Sequence, residues 1–217
     1  MSLKTYITEY LGKYLLTTLE MVGITLLIGA VIGTILGSLL YITRKSKKKW
    51  VQVLYKVLDF IVGLIRSFPF YILIFVLLPF TRLLGLRAMS NEGFIVPLTI
   101  AAIPFIGKII EGSLIEVNEG VVEAATSLGL SPWQIITRVV LREALPSIVS
   151  GITLSLITLI GYSAMSGAVG ADSLGSFAYN FGMISYDTAA MLYAVGTIVI
   201  LVVLVQTIGN FIYKLVK

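Results

Sequence analysis

The sequence predicts an all-α protein, a polytopic membrane bundle of five transmembrane helices with a two-helix loop on one face. Three observations carry that expectation. Of the 217 residues, 58% are hydrophobic and only 12% are charged. Mean hydropathy is +1.00, whereas a water-soluble domain averages about 45–50% apolar and about 25% charged residues. The few charges are also unevenly spread, leaving bare stretches of the roughly 20 residues that a helix needs to cross a bilayer.

The same composition excludes several chemistries. There is no Cys and no His, which removes disulfides, thiolate nucleophiles, zinc fingers, haem–histidine ligation and Ser-His-Asp triads. The eleven Asp and Glu residues are scattered, against a paired-carboxylate site. A net charge of +5 reads in such a chain as membrane topology and anionic lipid, not nucleic acid.

The first span covers about 14–43, and every residue from Met21 to Thr43 is uncharged. Its apolar run exceeds the core of a cleaved signal peptide, and basic residues follow it instead of preceding it, so it reads as a permanent span. Gly29, Gly33 and Gly37 stand at four-residue spacing after Thr25. Such a ridge of small residues permits close helix packing, within one subunit or against a partner.

The second span covers about 57–81, interrupted only by Asp59 and Arg66. These two lie on one helical face and are expected to pair. Pro69, inside Phe68-Pro69-Phe70, kinks the helix and frees a carbonyl. A charge at membrane depth is a functional candidate, so Arg66 and Pro69 are candidate pathway residues beside their structural reading.

The third span, about 93–115, carries Lys108 and Glu111 towards its end and contains Pro97 and Pro104, the pattern of a kinked helix lining a pathway. The fourth, about 144–171, is uncharged and ends in a run of small residues over 161–175. That run suits tight bundle packing, close approach around a translocation path, or a re-entrant turn. Within it Ser163 is a candidate pathway residue. Met165, large and flexible, is the candidate gate, because a path open to both sides at once would leak ions. The fifth span covers about 188–213 and is also uncharged.

Five spans put the termini on opposite sides. Arg44, Lys45, Lys47, Lys48 and Lys49 follow the first span, and an excess of basic residues marks the cytoplasmic side. The N-terminus is then outside and the C-terminus, with Lys214 and Lys217, is cytoplasmic. The basic run can alternatively bind membrane lipid. No internal repeat or linker divides residues 1–217, which read as a single membrane domain.

The loop 116–143 is too long for a simple turn. Residues 119–128 suit a short helix, and Gly129 can end it with a positive φ. Ser131, Pro132 and Gln134 then form an N-cap, a first-turn proline and a capping box. The second helix presents Trp133, Ile136, Val140 and Leu141 at helical spacing before Pro146 opens the fourth span. The pair either lies on lipid headgroups or docks a cytoplasmic partner.

Glu123-Ala124-Ala125, three further residues, Gly129 and then Leu145-Pro146 resemble the EAA motif of ATP-binding cassette (ABC) importer permeases. The resemblance favours docking and implies the type I importer transmembrane fold. It implies that the loop forms coupling helices inserted into a cleft of an ATPase subunit, with Glu123 on the ATPase surface, Ala124 and Ala125 packed in the cleft, and Gly129 making the turn. Bulky residues at Ala125 or Gly129 are then expected to uncouple ATP hydrolysis from transport. Arg66-Ser67-Phe68-Pro69-Phe70, Ile95-Val96-Pro97-Leu98-Thr99, Pro104-Phe105-Ile106, Gly161-Tyr162-Ser163-Ala164-Met165 and Gly167-Ala168-Val169-Gly170 are similar to the methionine-importing permeases of that family. Asp172-Ser173 departs from the family pattern, where small residues are more usual.

That family implies two copies of this chain, two ATPase subunits that bind ATP and magnesium, and an extracellular or periplasmic substrate-binding protein or lipoprotein. The chain itself is not expected to be an enzyme. Its Gly107-Lys108 pair has neither the upstream glycine nor the following hydroxyl of a phosphate-binding loop. The substrate expected is methionine, or else another amino acid or small organic solute. An ion-coupled carrier would want carboxylates within the membrane and repeated halves, and Met21–Thr43, Ala144–Ala171 and Thr188–Tyr213 hold no carboxylate.

Overall fold

The computed structural model describes residues 10–217, which are helical throughout with short connections. The long elements are α1 (Gly12–Arg44), α2 (Lys49–Ser67), α3 (Phe70–Leu83) and α4 (Asn91–Ile115). The loop helices are α5 (Glu119–Ser127), α6 (Pro132–Gln134) and α7 (Leu141–Glu143), the last two joined by the π-helical segment Ile135–Val140. After them come α8 (Leu145–Ser163), the 3₁₀ segment Ala164–Val169, α9 (Leu174–Phe177), the π-helical segment Ala178–Ile184 and α10 (Thr188–Val216).

Among the described residues, α1, α4, α10 and α8 with its 3₁₀ extension are each long and apolar enough to cross a membrane. The remaining predicted span is not one rod. Phe68 and Pro69 both adopt extended backbone, with ψ of 129° and 127°, and α3 leaves α2 at 108°. Proline disfavours helical backbone in the residue before it. The expected kink is therefore a full break, with Pro69 exposed at its corner.

The glycine ridge of α1 packs against α4 of the same chain. A methyl group on Gly33 would lie 2.9 Å from Ile106, and one on Gly37 would meet the Gly107 carbonyl. Three small residues on one face thus let two backbones approach as lipid-embedded helices require. Around this pair Met21, Leu98, Ile106, Ile110 and Leu114 form the buried centre of the bundle. Pro97 and Pro104 are buried inside α4, which continues through both.

Caps set the helix starts. Ser90 Oγ accepts from the Gly93 N–H at α4, and Asp187 Oδ1 accepts from the N–H groups of Ala189 and Ala190 at α10. The fourth predicted span stops being α-helical at Ser163, and Gly170 ends its 3₁₀ extension with φ +69°. A serine cluster fixes the turn that follows. Ser166 Oγ donates to Ser173 Oγ at 2.7 Å, and Ser173 Oγ donates to the Ser163 carbonyl at 2.9 Å while capping α9. Asp172 lies 3.7 Å from Lys13, and its N–H donates to Asn91 Oδ1. The two residues that depart from the family pattern therefore anchor this turn.

Candidate functional site

The loop between α4 and α8 forms the first candidate site. Asn118 Oδ1 accepts from the Gly120 N–H and starts α5. Gly129 has φ +77°, a conformation that a side chain resists. Its N–H donates to the Thr126 carbonyl, and the Leu130 N–H donates to the Ala125 carbonyl. These two bonds make a Schellman C-cap. The capping box beyond it is present: the Ser131 N–H donates to Gln134 Oε1 at 2.9 Å, and the Gln134 N–H donates to Ser131 Oγ at 3.3 Å.

The corner's surface differs from expectation in two places. Glu123, Ala124 and Gly129 are exposed, but Ala125 is only 5% exposed and packs inside the chain with Ile135 and Val140. Ala125 therefore seats α5 on the second helix and does not face outward. The expected stripe Trp133, Ile136, Val140, Leu141 is also shifted. Ile135–Val140 is π-helical, its wider turn moves the buried register, and Ile135 and Val140 turn inward. Trp133 is 70% exposed and Leu128 is 81% exposed. The pattern of the motif gave no signal for Leu128; its position beside a positive-φ glycine could have.

A second feature was invisible as spacing. Lys108 Nζ lies 2.7 Å from Asp59 Oδ1 and also bonds Glu111. Glu111 is 1% exposed, and its other oxygen lies 3.7 Å from Arg44, which reaches Tyr55 at 3.5 Å. This neutral four-charge cluster ties α1, α2 and α4 together. Asp59 thus pairs with Lys108 and not with Arg66, because α4 packs alongside α2 and brings its lysine nearer.

Arg66 is exposed and stands 5.9 Å from the Phe105 ring centroid. It lines a cavity of about 360 Å³ at the α2–α3 break, with Phe105 and Tyr162 among the walls. Phe70 stacks on Tyr162, with centroids 4.4 Å apart. Met165 is exposed and lines a separate cavity with Tyr71, Gly167 and Tyr179. Ser163 is not among the residues lining that cavity. It is buried, and its hydroxyl donates to the Ile160 carbonyl, a bond held within its own helix. Among the described residues no cluster of acidic side chains could hold a metal ion.

The chain matches the family described as binding-protein-dependent transport system inner membrane component over residues 29–217. It is 42% identical to a probable D-methionine transport system permease protein of Vibrio cholerae over 193 residues, covering 89% of this chain and 86% of that one. It is 40% identical to the corresponding Pasteurella multocida protein over 208 residues, covering 94% of each. Among solved structures, a chain from inward-facing conformations of the MetNI methionine ABC transporter superposes with a TM-score of 0.94 at 40% identity, over 100% of both chains.

Proposed function

The chain belongs to the family of binding-protein-dependent transport system inner membrane components, and from that premise we propose that it is the permease subunit of an ABC importer for methionine. The observation that carries this reading is likeness along the whole chain, at 40% identity, to a methionine ABC transporter chain. The exposed corner of the α4–α8 loop supports it independently.

In this reading two copies of the chain enclose the pathway, and two ATPase subunits dock on their cytoplasmic loops. The ATPases bind ATP and magnesium and perform hydrolysis. A substrate-binding protein or lipoprotein delivers methionine from outside. Glu123 and Ala124 meet the ATPase surface, with Leu128 and Trp133 as apolar anchors of the kind that dominate binding energy. Ala125 and Gly129 act by shaping the corner. Closure of the ATPase pair moves these corners and shifts the subunits between inward-open and outward-open states, which must alternate. Met165 supplies apolar closure, and Arg66 and Pro69 border the path at the α2–α3 break. The N-terminus lies outside and the C-terminus in the cytoplasm.

Reconstitution in proteoliposomes with its ATPase and binding protein tests the proposal. Methionine uptake should require ATP and binding protein together. Uptake driven by an ion gradient without the ATPase would overturn the transporter class, and preferential uptake of another amino acid would replace the substrate.

A further inference from the structure

Resting on the importer reading above, we infer that the cavity at the α2–α3 break is a substrate subsite within the permease, where Arg66 takes an amino acid's carboxylate and an aromatic wall takes its apolar side chain. The cavity of about 360 Å³ falls within the range of small-ligand sites, roughly 300–1,000 Å³. Among the described residues Arg66 makes no ion pair. The acidic residue nearest to it along its own helix, Asp59, is committed to Lys108. The guanidinium carbon instead stands over the Phe105 ring, 5.9 Å from its centroid. A cation–π contact of this kind leaves the fork of N–H donors free for a carboxylate, which arginine binds bidentately.

The rest of the lining suits the remaining parts of a zwitterion. The last turn of α2 supplies Ser67 to the wall, and a helix C-terminus carries the negative end of the helix dipole, favourable to an ammonium group. Leu73, Phe105 and Tyr162 form the apolar side. The Tyr162 ring is fixed by Phe70, stacked within 10° of parallel. Aromatic rings are favourable neighbours for a thioether sulfur. No Asp or Glu lines the cavity, so it offers nothing to a second positive charge on a substrate side chain. The site therefore disfavours a cationic side chain after the binding protein has released its cargo.

The test uses the assembled permease–ATPase complex in nanodiscs, without binding protein, and measures radiolabelled methionine by equilibrium dialysis. Binding to the ATPase subunits alone is subtracted. On the wild-type complex, 4-(methylthio)butyrate, which keeps the carboxylate, should displace the label, and 3-(methylthio)propylamine, which lacks it, should not. Arg66→Gln should weaken binding at least about tenfold, with Arg66→Lys in between. The reverse order of competitors, equal binding by Arg66→Gln, or no saturable binding in a complex that imports methionine would each overturn the subsite and leave the importer reading standing. Failure of the wild-type complex to import methionine with ATP and binding protein would instead overturn that reading.

Discussion

At the residue scale, the most consequential side chain outside the proposed docking corner and subsite is Lys108. It neutralises Glu111, a carboxylate with almost no exposure, and holds Asp59 of α2 at the same time. A buried charge deprived of its partner costs about 3–5 kcal/mol, whereas replacing both partners by apolar groups is often close to neutral. Lys108→Met leaves Glu111 only Arg44 at 3.7 Å and should therefore destabilise the protein by up to about that amount, and Lys108→Met with Glu111→Met should recover most of the loss. Thermal unfolding of the detergent-solubilised variants decides it: a double variant as unstable as the single one would show that the cluster matters for more than charge balance. Residue identity alone announced these charges but not their pairing. Asp59 and Arg66 share a helical face by spacing, yet the contact that forms lies across helices.

At the element scale, two glycine positions make opposite predictions from the same substitution. Gly37 faces the Gly107 carbonyl across the α1–α4 contact, and Gly23 has nothing within 4 Å. Gly37→Ala should force the helices apart and cost about 1–3 kcal/mol, while Gly23→Ala should be neutral or stabilising by up to about 1 kcal/mol. Equal melting temperatures for the two variants would refute close packing at the ridge. The docking corner depends on backbone in a different way. At φ +77°, Gly129→Val places a branched side chain in left-handed backbone, a cost of about 1–2 kcal/mol, and should uncouple ATP hydrolysis from uptake in the reconstituted importer. Leu128→Asp leaves the backbone alone and should weaken ATPase binding at least about tenfold if Leu128 is an anchor. Co-purification of the subunits reads that loss directly, and undiminished recovery of the ATPase would place the docking surface elsewhere.

At the scale of the whole molecule, orientation is open to direct measurement because the sequence has no cysteine. Single replacements Lys48→Cys and Arg87→Cys should label with a membrane-impermeant maleimide from opposite sides, the first from the cytoplasm and the second from outside. Labelling of both from one side would break the topology. Much of the architecture was legible in advance. Charge-free runs long enough to span a bilayer mark α1, α8 and α10, and an apolar run with charges only near its ends marks α4. Gly129, Ser131 and Gln134 mark a helix–corner–helix, because a positive φ and a capping box are local properties that neighbouring residues set. The sequence by itself therefore determined the membrane class, four long apolar helices and the shape of the loop. Only the tertiary structure decided which faces meet: the glycine ridge against α4, Ala125 turned inward, Ser163 held within its own helix, Lys108 between Asp59 and Glu111, and the 108° break that opens a cavity beside Arg66. The reason is physical. Spanning depends on transfer free energy summed along one segment, whereas contacts between helices depend on crossing geometry, and inside a bilayer the apolar faces of a helix are nearly equivalent until a neighbour packs against one of them.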